Sequence, residues 1–458
     1  MKHRLITSFA AALVCALSLA VGTHSTASAK AAAGSGNDYV RLQIDVDRTV
    51  LPADSTEKAI VKVGLDCLQL PRRDLRPPVN LALVIDRSGS MAGEKISHAR
   101  DAALEAVRRL APDDLVSLIV YDTQVQTLIA AQRLGNGREL ERAICGIEVG
   151  GNTALYGGVS RGASEVRRHA EDGRYVNRVI LLSDGLANVG PSSPEELGRL
   201  GASLMKEGIS VTTIGLGLGY NEDLMARLAQ RSDGNTYFVE NSSDLSRIFA
   251  AELGDVLNVV ARRVVIEIDF PEGVRPIAFV GREGSIHGQR AELKLNQLYG
   301  GQEKFALVEV EIAPSAAGIE KEIASARINF EDAVNQRQAS LTAKRSIKFS
   351  ESRSAVVASA DHKVQADYAT NVLAVAKDEA VALVDSNHRA AAAAVLRERS
   401  AELTQMAKTY GNSAVGQVAA AAAPEADRLA KEGLDNAKRK AYRAESAQAK
   451  AQQSSSSR

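Results

Sequence analysis

The 458-residue chain has no tryptophan, and aromatic residues of every kind make up only 4% of it. Stacking platforms for bases or sugar rings need such side chains, so their scarcity argues against binding of that kind. Neither sign of charge is in excess, with 56 Lys and Arg against 56 Asp and Glu. No global field therefore draws the chain to nucleic acid or to an anionic membrane, and any charge-driven binding has to be local. There is no Walker A sequence and no HExxH. His98, His169, His287, His362 and His388 are scattered without metal-ligand spacing. Beyond the N-terminus no run reaches the roughly 18 apolar residues of a membrane span.

What is present begins with a targeting segment. Lys2, His3 and Arg4 form a basic start, Leu5 to Gly22 is mostly apolar, and Ala27-Ser28-Ala29 supplies small residues for cleavage. Residues 1–29 are expected to be a signal peptide cut after Ala29, the alternative being a retained anchor. Leu13-Val14 before Cys15 do not fit a lipoprotein site. The mature protein is then expected outside the cytoplasm, secreted or periplasmic, without a transmembrane segment. Cys67 and Cys145 remain after cleavage, and an oxidising compartment would permit them to pair.

Residues 30–37 read as a flexible leader, and 38–78 as the first part of a β-rich domain, with Val40, Leu42 and Ile44 alternating. Over 79–257 strand and helix patterns alternate. Val79 to Ile85 is a nearly unbroken apolar run, as in a strand covered on both faces. Lys95 to Leu110 has helical spacing. This order implies a doubly wound, mostly parallel α/β sheet. Period-two patterns return over 258–349 (Val264, Ile266, Ile268; Val308, Val310, Ile312). The two flanks are expected to build one β-sandwich-like domain into which the α/β block is inserted. A helical region over 350–442 follows, with Pro424 in the first turn of one helix. Residues 443–458 are expected to be a disordered tail. The basic residues Lys431, Lys438, Arg439, Lys440 and Arg443 read as a solvated helix face.

The chemistry concentrates in three loops. Asp86-Arg87-Ser88-Gly89-Ser90 follows the apolar strand directly, at the carboxyl end where open α/β sheets bind ligands. One carboxylate and two hydroxyls at alternate positions converge if the loop curls, and Gly89 permits the curl. Gly150-Gly151-Asn152-Thr153 leads into a helix, and Val179 to Asp184 is another buried strand ending in a carboxylate. Asp, Ser and Thr oxygens are hard ligands suited to Mg²⁺, Mn²⁺ or Ca²⁺ and poor for Zn²⁺ or copper. Alone, DxSxS is a turn sequence; with Thr153 and Asp184 on the same predicted edge it becomes a metal site. Arg87 is expected to point to solvent. Asp86 as a phosphoryl acceptor would need an acid at position 88, which is Ser. Gly158-x-Ser160-x-Gly162 lies inside a predicted helix, where a nucleophile elbow does not occur.

In the order Asp86, Ser88, Ser90, Thr153, Asp184 the sequence resembles the von Willebrand factor A family, whose metal-ion-dependent adhesion site is DxSxS, then Thr, then Asp. The resemblance covers residues 79–257. It implies that Ser88, Ser90 and Thr153 contact a metal, preferably Mg²⁺, with Asp86 and Asp184 acting directly or through water. The implied function is non-enzymatic: a cation-dependent, adhesion-type module coordinating an acidic residue of a protein partner. The alternative is a structural cell-envelope protein whose metal stabilises the fold while the C-terminal helices bind the partner. A more distant likeness is to inter-α-trypsin inhibitor heavy chains. The partner's identity and the oligomeric state are left open.

Overall fold

The computed structural model describes residues 39–70 and 76–453. Residues 1–38, where the signal peptide and leader are expected, residues 71–75 and residues 454–458 lie outside the described residues. The chain opens with β1 (Val40–Val46), β2 (Val50–Pro52) and β3 (Glu57–Cys67). The α/β block follows: β4 (Val79–Asp86), α1 (Glu94–Val107), β5 (Leu115–Tyr121), β6 (Val125–Arg133), α2 (Arg138–Cys145), α3 (Leu155–Arg167), β7 (Val176–Ser183), α4 (Pro194–Lys206), β8 (Ile209–Leu216), α5 (Glu222–Arg231), β9 (Thr236–Val239) and α6 (Leu245–Val256). Its six strands lie in the order β6-β5-β4-β7-β8-β9, all parallel except the antiparallel edge strand β6. Every residue of β4, β5, β7 and β8 is buried. One face of the sheet packs on α1, α2 and α6 and the other on α3, α4 and α5, which explains why these strands read as continuous apolar runs.

After the block come β10 (Val259–Asp269), β11 (Val274–Phe279), β12 (Ser285–His287), β13 (Arg290–Tyr299), β14 (Glu303–Ile312), β15 (Glu320–Asp332) and β16 (Arg337–Ser350). They combine with the leading strands in two sheets, β1-β3-β14-β11 and β12-β13-β10-β15-β16-β2. Val61, Val63, Val308 and Val310 from one sheet and Ile266, Leu293, Ile328 and Phe349 from the other share a core. The α/β block is thus inserted in a sandwich made from both flanks.

The C-terminal helices are α7 (Arg353–Ala358), α8 (His362–Asp385), α9 (Arg389–Tyr410), α10 (Ser413–Glu432) and α11 (Asn436–Lys450). Three expectations are corrected here. Pro424 sits inside α10, which begins eleven residues earlier because the Asn412 side chain caps Val415 N–H and the alanine-rich run propagates the helix. The disordered tail does not start at 443, since α11 runs to Lys450. Asp435 caps it, and its basic side chains find acids on other elements instead of solvent. Cys67 is buried, Cys145 is exposed, and both are free thiols.

Candidate metal centre

Strand β4 has β5 on one side and β7 on the other, so its carboxyl end lies at the point where the strand order reverses, the usual crevice for a ligand. Asp86 ends β4 there and is fully buried. One carboxylate oxygen accepts Ser88 N–H at 2.8 Å and the other accepts Ser183 Oγ–H at 2.7 Å. Burial raises the pKa of this carboxyl above its ordinary value, Asp184 adds to the rise, and the two serines oppose it. A carboxylate held in that state favours a nearby cation.

The loops are joined by main-chain bonds. Gly89 N–H donates to Gly151 O at 3.1 Å and Gly150 N–H to Arg87 O at 2.8 Å. Gly151 has a φ of +67°, and a Cβ on it would meet Thr123 Oγ1 at 2.7 Å, so glycine is required. Ser88 Oγ and Ser90 Oγ stand 3.1 Å apart, and Ser90 Oγ–H donates to Asp184 Oδ1 at 2.7 Å. Thr153 is fixed by its N–H donating to Asn188 Oδ1 at 2.8 Å. A Cβ on Gly185 would sit 3.0 Å from Thr153 Oγ1 and 3.4 Å from Ser90 Oγ. That glycine therefore leaves a space bordered by both hydroxyls. The five side chains read from the sequence come together, with Ser88, Thr153 and both carboxylates buried and Ser90 exposed.

The donor set fits a hard divalent cation: three hydroxyls and two carboxylates, each hydroxyl able to offer a lone pair while its hydrogen points elsewhere. Among the described residues no group of three or more His, Cys, Asp and Glu is placed to hold a metal.

Sequence reasoning missed several participants. Lys95, in the first turn of α1, ion-pairs with Asp184 and donates to Ser90 O at 3.3 Å. Ser183 and Asn188 orient Asp86 and Thr153. Arg87 does not simply point to solvent; its guanidinium pairs with Asp122 at 3.0 Å. Only the position of Ser183, beside Asp184 at a strand end, was a hint. Around the centre three aliphatic side chains are exposed: Val149 (40%), Leu186 (58%) and Leu218 (47%). Leu186 follows Gly185. Leu218 lies between Gly217, which faces Lys95, and Gly219, where a Cβ would meet Asp184 O at 2.8 Å. Tyr121 and Val84 leave room for α3 only because Gly158 and Gly162 lack side chains, so the GxSxG spelling serves helix–sheet packing.

Comparison with known proteins agrees with this geometry. An uncharacterized protein of Synechocystis is 29% identical over 269 residues, covering 57% of this chain and 63% of that one. Inter-alpha-trypsin inhibitor heavy chain H3 of Homo sapiens is 29% identical over 203 residues, covering 43% of this chain and 22% of that one. The chain thus spans less than two thirds of the length of these curated relatives. The solved von Willebrand factor type A protein from Catenulispora acidiphila superposes with a TM-score of 0.64 at 17% identity, covering 83% of this chain and 89% of that one, which shows a shared fold. Residues 80–251 match the von Willebrand factor type A domain family, and together with the sheet order and its neighbours in fold this identifies that part of the chain as a von Willebrand factor type A domain.

Proposed function

We propose that the chain is a non-enzymatic, divalent-cation-dependent protein-binding module of adhesion type, working outside the cytoplasm. Domains of this family often bind a divalent metal at such a motif and typically bind proteins. Ser88, Ser90 and Thr153 would hold the cation through hydroxyls, with Asp86 and Asp184 supplying the opposing charge. Mg²⁺ is the favoured ion, and Mn²⁺ and Ca²⁺ suit the same oxygens. When bound, it supplies a Lewis-acidic point to which an outside carboxylate attaches. The chain's own residues do the rest. Ser90 holds Asp184 in place, Ser183 and Ser88 hold Asp86, and the exposed Leu186, Leu218 and Val149 offer apolar contact around the polar centre.

The observation that carries this reading is that hydroxyl and carboxylate oxygens from three loops converge beneath an exposed aliphatic rim. A metal kept only for stability has no use for such a rim, whereas a docking surface does. No helix of the described residues is long and apolar enough to cross a membrane, which is compatible with a secreted or periplasmic protein. The test is capture of partners from envelope extract by the mature chain, in Mg²⁺ and in EDTA, beside Thr153→Ala. Capture in Mg²⁺ alone, lost in a folded Thr153→Ala, is expected. A variant that unfolds, or capture indifferent to EDTA, would favour the structural alternative.

A further inference from the structure

We infer that Lys95 is a tethered cation that competes with the divalent metal for Asp184 and so sets the metal affinity of this face. The inference rests on the metal-site reading above. Its placement is the first argument. Lys95 lies in the first turn of α1, at the positive end of the helix dipole, where a cation is disfavoured. Something has to hold it there, and both its partners belong to the metal loops: the Asp184 carboxylate and the Ser90 carbonyl. On its other side a Cβ at Gly217 would come within 3.9 Å of Lys95 Cε and Nζ, so the loop after β8 passes beside the ammonium, which stays partly exposed.

Charge and valence supply the second argument. The Asp184 side chain is fully buried, and each of its oxygens already has a donor, Ser90 Oγ–H on Oδ1 and Lys95 on Oδ2. A dication drawing on Asp184 must share that oxygen with the ammonium or displace it. Counting Asp86, Asp184 and Lys95, the face carries −2 + 1 = −1 without the metal and −2 + 1 + 2 = +1 with it. The ammonium repels the incoming ion and weakens its binding. It also leaves the loaded face cationic, which favours an anionic group from outside. Arg87 contributes little to this sum, because Asp122 neutralises it.

The test titrates the full-length mature chain calorimetrically with Mg²⁺ alone at fixed pH and ionic strength. Lys95→Met is expected to tighten the Kd at least about tenfold, while Lys95→Arg stays within about threefold of the parent. In EDTA Lys95→Met should melt below the parent, because a buried carboxylate has lost its partner, and Mg²⁺ should restore it. If Lys95→Met does not fold in EDTA, Lys95→Gln takes its place with the same expectation. An equal or weaker Kd in the folded neutral variant overturns the inference and leaves the metal site standing. Absence of any Mg²⁺ heat or melting shift in both parent and neutral variant removes the metal reading as well.

Discussion

Leu186 and Leu218 are the two most exposed large apolar side chains among the described residues, and both flank the metal loops. Water-exposed leucines beside a polar centre do nothing for the fold, but they give an approaching protein surface to bury. Replacing both with serine should therefore leave the calorimetric Mg²⁺ Kd unchanged and lower Mg²⁺-dependent partner capture by at least about tenfold. A matching loss of Mg²⁺ binding would show instead that the leucines shape the loops. At this scale the sequence singled out Asp86, Ser88, Ser90, Thr153 and Asp184, which the structure brings together, because their signal lies in spacing along three loops. It did not reveal Lys95, Ser183, Asn188 or the Arg87–Asp122 pair. These are ordinary residue types, and they acquire a role only when separate loops meet in space. Even Lys95, one step into a helix against the local charge preference, looks from sequence like any solvated lysine.

Helix α6 connects the α/β domain to the sandwich, and beside its apolar face it carries a buried polar network. Glu252 accepts Thr212 Oγ–H, Asn235 Nδ2–H at 2.9 Å and Tyr237 O–H at 3.0 Å, and faces the fully buried Arg178. Asp255 accepts Gln302 Nε2–H at 2.6 Å across the boundary. Burial, and then the Glu252 charge, push Asp255 up to about 7. Because its folded pKa lies above its unfolded value, the stability it contributes is full below about 4 and is lost as the pH rises through about 7. Lys304 nearby, lowered to about 8 by burial, has the opposite sign and acts mainly above that window. Denaturant unfolding should accordingly show this contribution falling between about pH 4 and 7. Asp255→Asn should flatten that decline, and an unchanged slope would assign it elsewhere. The strands and helices of the α/β block were readable because unbroken apolar runs and an apolar period of 3.6 are strong there. The start of α10 and the length of α11 were not. Alanine-rich, highly charged segments carry little periodicity, and what orders α11 is its docking on other elements.

Across the whole molecule, α11 binds regions far apart in sequence. Arg439 pairs with Glu222, Asp223 and Asp385. Lys440, nearly buried, pairs with Glu222 and donates to Tyr220 O, and Lys304 donates to Ala451 O at 2.7 Å. The loop it grips, residues 217–221, is the one that packs on Asp184. Lys440→Met leaves the nearly buried Glu222 with Arg439 as its remaining cation and takes the donor from Tyr220 O. It should cost about 2 kcal/mol of unfolding free energy, measured by denaturant unfolding, whereas an effect below about 0.5 kcal/mol would place the helix among surface decorations. The two-domain plan was legible because the same strand grammar appears on both sides of the α/β block. The docking of α11 was not, since its cationic residues read as a solvated face when acidic partners such as Glu222 lie more than 200 positions away in the chain.

The insertion also orders events in time. Strand β3 pairs with β14 in a register that joins Glu57 to Ile312, and the entire α/β block lies between them. In an unfolded chain, bringing those strands together means closing a very long loop, whose entropy opposes the first contact before any further contact rewards it. Once the α/β block has folded, most of that loop no longer fluctuates. The sandwich then has only short flanks to bring together, so the domain that carries the metal loops is a folding template for the one that carries it.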